Sequence, residues 1–375
     1  MKTGERSGRI LAAIILSLCA AVLVATPAAH ASPQLGAEDS HAPVKVPTAP
    51  ATLPASANDG LIHLDVVAAP KNGSPQQGLQ QSDFAITDNK AAQTITSFHE
   101  VSSRGAKVEV LLVVDAVNAG PQVVSFERQQ IDKFFASESS TMAYPTSLAV
   151  LTDKGVQMMG GFSTDGKALS AALDKFDNGL RVITGSAGYY GAEERLKYSL
   201  DGLSELIAAE GPRPGRKLMI WLSPGWPLLS GPGTELDSKQ QQQIFANVVA
   251  ISNTLRAGRI TMYSVNPLSG EALSRASYYE EFLKGVSKPG QVSLGNLGLP
   301  VLAIQSGGVA FDYNNDVAGL LQKCVSDSAP YYELAFQLAA GDKRDEYHHL
   351  EIKIDKPGLL ARTRQGYYLQ PAPAK

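Results

Sequence analysis

The chain has 375 residues, with 33 Lys+Arg against 36 Asp+Glu for a formal net charge of -3, and 44% of it is hydrophobic. That balance exerts little pull on nucleic acid or acidic membranes, and no basic block occurs anywhere along the chain. Only 2 cysteines are present, which excludes a disulfide framework, and the length suffices for two domains with real cores.

Lys2, Arg6 and Arg9 precede an apolar run over residues 10–24, followed by Ala29, His30 and Ala31. This is the pattern of a secretory signal peptide over 1–31, cleaved after Ala31. The run is too short for an easy membrane span, no stop-transfer charges follow it, and Leu18 before Cys19 is too bulky for a lipoprotein site. The mature chain is therefore expected to lack a transmembrane segment and to be secreted or held in the periplasm or cell envelope. Loss of Cys19 leaves Cys324 alone, as a buried inert thiol or as a pairing site between chains. Residues 32–58 are rich in Pro and Ala, a composition that cannot offset its ordering entropy, so they read as a disordered linker reaching about 80 Å at about 3.1 Å per residue.

Regular structure is expected from residue 59. Residues 61–69 read as a strand, and 83–87 and 93–98 alternate apolar and polar side chains with period two around a turn at Asp88 and Asn89. The same alternation returns at 331–338, 349–354 and 359–368. Three or four strands need a second layer, so 59–104 and 330–370 are predicted to form the halves of one small antiparallel β domain. His348 and His349 suggest a metal pair, but successive strand side chains point to opposite faces, and a solvated edge is the expectation.

Between those halves, 105–329 alternates strand and helix. Val108, Val110, Leu111, Leu112, Val113 and Val114 form a nearly continuous apolar run, as in a strand buried on both faces of a parallel sheet. Helices are predicted over 123–137, 165–176, 192–209, 238–257, 299–305 and 317–325. Further strands are predicted over 147–151, 156–159, 217–222, 260–265 and 309–311. This pattern implies a doubly wound, mostly parallel α/β domain inserted between the halves of the β domain. Asp115 ends the first wound strand, on the face where such sheets bind ligands, so it is either a site acid or a helix-capping acid.

The segments DFAITDNKAAQTITSF, LLVVDAVNAG, PGRKLMIWLSPGW, RITMYSVNP, YYELAF and LLARTRQGYY resemble those of von Willebrand factor A-related domains of the secreted acidobacterial type, over residues 60–370. The resemblance implies a Rossmann-like A domain and ligand binding through a divalent cation. That ion is held by Asp-x-Ser-x-Ser after the first strand, a loop threonine and an aspartate after the fourth strand. Here Asp115 is followed by Ala116, Val117, Asn118 and Ala119, and Ser223-Pro224-Gly225 replaces Thr-Asp-Gly. Thr184 or Ser186 would supply the loop hydroxyl. One carboxylate with a few hydroxyls is a poor cage for a cation that wants six oxygens, so no cofactor is expected beyond weak Mg²⁺.

No G-x-S-x-G elbow occurs, no histidine lies between His99 and His348, and Gly185, Gly188 and Gly191 match neither a dinucleotide fingerprint nor a P-loop. Paired acids at Glu193-Glu194 and Glu280-Glu281 read as solvated helix faces. The expected function is a secreted, non-enzymatic binding module with a degenerate metal-ion-dependent adhesion site, engaging an unknown protein or envelope ligand. Alternatives are a secreted metal-dependent hydrolase using Asp115 and a purely structural envelope protein. The expected binding residues are Asp115, Asn118, Ser223, Trp226, Tyr189 and Tyr190. Trp226 is either an interface anchor or packing beneath its own loop, and Trp221 is expected in the core.

Overall fold

The computed structural model describes residues 60–71, 73–103, 106–137, 141–175, 188–227, 235–268, 279–312, 314–338 and 343–370. The chain begins with β1 (Leu61–Pro70), β2 (Phe84–Asp88), β3 (Ala91–Gln93) and β4 (Ile95–Val101). The wound part follows as β5 (Val108–Asp115), α1 (Pro121–Ser137), β6 (Thr141–Thr152), β7 (Gly155–Met158), β8 (Ser163–Asp165), α2 (Gly166–Lys175) and α3 (Gly188–Glu210). It continues through β9 (Arg216–Leu222), α4 (Ser238–Ala257), β10 (Ile260–Val265), α5 (Leu299–Gln305), β11 (Ala310–Phe311) and α6 (Val317–Ser326). The last strands are β12 (Tyr331–Gln337), β13 (Tyr347–Ile354), β14 (Leu359–Arg362) and β15 (Gly366–Tyr368).

The large sheet has the order β11-β10-β9-β5-β6-β7. Its strands are parallel from β11 to β6, while β7 and β8 pair antiparallel with β6. Period-two alternation along β5 explains why nearly every residue in it is apolar. Val108, Val110, Leu112 and Val114 face Val124, Ile131, Phe134 and Phe135 of α1, whereas Leu111 and Val113 face Leu196, Leu200, Leu203 and Leu206 of α3. Each such side chain contributes about 1.5–3 kcal/mol by leaving water. Both faces of the sheet are thus covered, as the strand-helix alternation implies. α3 lies so close to β6 that a Cβ on Gly202 would stand 2.4 Å from Leu151 Cδ1.

The two chain ends meet as expected: β1 pairs with β12 and with β14, and β2 pairs with β13. They form two four-stranded sheets, β14-β1-β12-β4 and β15-β13-β2-β3, that pack Ile62, Leu64, Val66, Tyr332, Leu334 and Phe336 against Phe84, Ile86, Leu350 and Tyr367. Two predicted strands are each divided between the sheets. Residues 93–98 break after Gln93, and 359–368 break after Arg362, because the chain crosses from one layer to the other at these points.

His348 corrects the expectation of a solvated edge. It is buried, its Nδ1 lies 2.9 Å from Asp88 Oδ1, and its ring stacks on Tyr367, whose hydroxyl donates to Asp88 Oδ2 at 2.6 Å. His349 points to solvent from the opposite face of β13, as strand geometry requires. Cys324 is a buried free thiol, and burial pushes its pKa well above the ordinary range. No helix among the described residues is long and apolar enough to cross a membrane.

Candidate functional site

Leaving out the short β8, which pairs with β6 off the main path, the strands of the large sheet numbered by their order along the wound part run 3-2-1-4-5-6, so the order reverses between β5 and β9. Loops at the carboxyl ends of strands flanking such a reversal are where doubly wound folds bind ligands. Asp115 closes β5 at this point, and Ser223 follows β9 beside it. Asn118 stands one turn beyond Asp115, before α1.

Asp115 has no exposed surface. Its Oδ1 accepts from the backbone N–H of Val117 at 3.1 Å and of Asn118 at 3.0 Å, and its Oδ2 accepts from Asn118 Nδ2 at 2.8 Å and from the indole Nε1 of Trp221 at 3.1 Å. The nearby Ser223 hydroxyl also favours its ionised form. A carboxylate has about four lone-pair positions, so its capacity is filled by protein donors. Burial raises its pKa, while these hydrogen bonds act in the opposite direction. All of these partners donate, an arrangement that suits the ionised form.

Asn118 extends the network to Ser199 Oγ on α3 at 2.8 Å, and that hydroxyl donates onward to the Arg195 carbonyl at 2.9 Å. The Ser223 hydroxyl oxygen also accepts from Gly225 N at 3.1 Å, where the backbone takes a positive φ of 111°. Asp115, Asn118 and Ser223 are thus brought together. Trp226 is not an exposed anchor: it is 4% exposed and meets Trp221 edge-on at 5.2 Å, because two indoles bury more apolar area against each other than either does in a loop. Tyr190, in the first turn of α3, is 59% exposed. Tyr189 lies in the same turn, with its side chain outside the described residues, and Thr184 and Ser186 also lie outside them.

Three participants were missed in the sequence: Ser199, the indole of Trp221 as a polar partner, and Glu127. Glu127 occupies the core-facing register of α1 between Val124 and Ile131, is fully buried, and neither of its carboxyl oxygens has a hydrogen-bond partner among the described residues. Burial first, and the nearby Asp115 carboxylate second, push its pKa well above the usual carboxylate range. An acid at a core position of an otherwise amphipathic helix was the legible signal.

The residues present do not fit a hexacoordinate hard cation. The two hydroxyl positions of the A-domain motif are Val117 and Ala119, both buried and apolar, Pro224 holds the aspartate position, and Asp115 is already saturated. Among the described residues no group of three or more His, Cys, Asp or Glu side chains is arranged to hold a metal ion.

Strand order and the helices that connect successive parallel strands define a Rossmann-like, doubly wound α/β domain carried on a β sandwich. No family model and no curated protein matches the chain. Among solved structures it is similar to proximal thread matrix protein 1 from the mussel byssus, at 14% identity and TM-score 0.35 over 64% of this chain and 50% of that one. The chain thus spans half the length of the mussel protein. It is also similar to a von Willebrand factor type A protein from Catenulispora acidiphila, at 11% identity and TM-score 0.34 over 77% and 75% of the two chains. Manganese-loaded TRAP from Plasmodium vivax is similar at 10% identity and TM-score 0.34, over 73% and 99%. At these values the likenesses carry no argument of their own, and the fold assignment rests on the strand order and connections.

Proposed function

We propose that this protein is an exported, non-enzymatic binding module that engages a protein or cell-envelope ligand without a divalent ion. The observation supporting this reading is the saturation of Asp115 by Val117, Asn118 and Trp221. A carboxylate so engaged has no free position for a metal, a substrate proton or an attacking water, which argues equally against a hydrolase built on it. Export follows from the signal-peptide pattern of residues 1–31.

The contact face in this reading is the carboxyl end of the sheet, with Tyr190 as its exposed aromatic anchor. The test is capture from native envelope extracts by the wild type and by Tyr190→Ala, each with and without EDTA. Capture should resist EDTA and fall about tenfold or more in Tyr190→Ala, at an unchanged melting temperature. Capture abolished by EDTA, or equal capture by both proteins, would overturn the reading.

A further inference from the structure

A cavity of about 420 Å³ lies at the end of the large sheet opposite Asp115, between the starts of β9 and β10 and the outer face of β1 and β12. That volume lies within the usual range of small-molecule sites. Its lining is dominated by four guanidinium groups, from Arg216, Arg256, Arg259 and Arg364, against two carboxylates, from Asp65 and Glu333.

These charges are unevenly matched. Arg259 holds both acids most closely: it bonds to Asp65 through Nε at 3.3 Å and Nη2 at 2.6 Å, and to Glu333 Oε1 at 2.5 Å, while Arg216 Nε makes a longer ion pair with Asp65 Oδ2 at 4.0 Å. Arg216 donates to the Asp327 carbonyl at 2.8 Å and lies over the Tyr331 ring at 4.9 Å. Arg256 and Arg364 have neither an ion pair nor a hydrogen bond among the described residues. Arg256 sits in the last turn of α4, where the helix carbonyls favour a cation. Arg364 has no helix end beside it, feels only the more distant attraction of the Asp65 carboxylate, and is only 9% exposed. Burial and the neighbouring Arg256 bring its pKa down to about 9, so the pair resists its own charge.

The position of Arg364 is fixed by its surroundings. The β14–β15 connection runs against the turn after α5, where Gly307 has φ 97° and a Cβ would stand 2.7 Å from the Thr363 carbonyl carbon and 2.8 Å from Arg364 N. An unpaired buried guanidinium is costly, and its planar fork of donors matches an oxyanion in bidentate fashion. His63, His99 and Ser97 line the same cavity from the β sandwich.

We propose that this cavity is a binding site for a small molecule carrying a phosphate or carboxylate group, gripped between Arg256 and Arg364. The site is separate from the Asp115 face, and the proposal does not depend on how that face is used.

The experiment follows melting and isothermal titration calorimetry of the full folded chain with sodium phosphate, sodium citrate, and sodium chloride at matched ionic strength, all in the low-millimolar range. A saturable rise in melting temperature of about 3 °C with phosphate or citrate, absent with chloride, is expected for the wild type. Phosphate alone acting would assign a phosphate-bearing ligand, and citrate alone a carboxylate. Arg364→Met should abolish the response while melting no lower than the unliganded wild type, because an uncompensated charge is replaced by an apolar chain. If that variant does not fold, Arg256→Met supplies the same comparison from a half-buried position. No saturable response to either anion, or an equal response in the wild type and the folded variants, would overturn the proposal.

Discussion

The indole N–H of Trp221 in β9 donates to the carboxylate of Asp115 at the end of the neighbouring β5, across 3.1 Å and with both residues fully buried. The strands are parallel and pair Val113 with Trp221, so Trp221 stands two residues short of the register of Asp115 and its long ring reaches forward to close the gap. A hydrogen bond to a charged group contributes about 1.5–3 kcal/mol. Trp221→Phe should therefore lower stability by about that amount plus a smaller packing loss, and a double-mutant cycle with Asp115→Ala in urea should give a coupling of at least 1 kcal/mol on the order of that bond. Additive effects would show that the contact is energetically idle.

Millimolar Mg²⁺ or Mn²⁺ should leave the melting temperature unchanged. An ion at a hundred times its dissociation constant would add about 2.7 kcal/mol, which a melting curve registers. A clear upward shift that Asp115→Ala abolishes would restore a metal site.

Glu127 gives a pH dependence of definite sign. Its folded pKa is raised, so the unfolded chain releases this proton first and native stability falls as pH climbs above the unfolded value of about 4.3. Below that value both states are protonated and the penalty is absent. Glu127→Gln should match the wild type near pH 4 and become progressively more stable than it toward pH 8, by about 1.4 kcal/mol for each unit of pKa elevation. A constant difference between the two proteins in denaturation measured across this range would refute the assignment.

In the β sandwich, Asp88 accepts from Tyr367 and contacts His348 in a buried cluster. Asp88→Ala leaves both partners without their acid and should cost about 3–5 kcal/mol, as for other broken buried pairs. Asp88→Asn, which retains one acceptor, should cost less. Chemical denaturation of the two variants checks the order, and equal losses would point to packing rather than hydrogen bonding.

Deleting residues 358–375 removes β14 from one sheet and β15 from the other, and with them the buried Tyr367, Tyr368 and Leu369. The uncovered apolar faces should drive aggregation, visible by light scattering. A truncated protein that stays monomeric with the wild-type melting temperature would show that the sandwich does not need its C-terminal strands.

The sequence by itself determined the periodicities. The continuous apolar run of β5, the core stripes of α1 and α3, and the alternation at both chain ends are local, and each needs only its own residues to state which face is buried. It also placed Asp115, Asn118 and Ser223 together, because a wound fold brings the carboxyl ends of its strands to one edge. Tertiary structure decided everything that depends on a partner distant in the chain. Trp226 turned inward because Trp221 was there to receive it, and His348 was buried because Asp88, far back in sequence, supplied its bond. The breaks after Gln93 and Arg362 became visible only when the two β layers were seen to face each other. The arginine cavity was hidden for the same reason: Arg256 and Arg364 lie in segments of unrelated pattern, and their shared surroundings arise from packing the sandwich against the sheet.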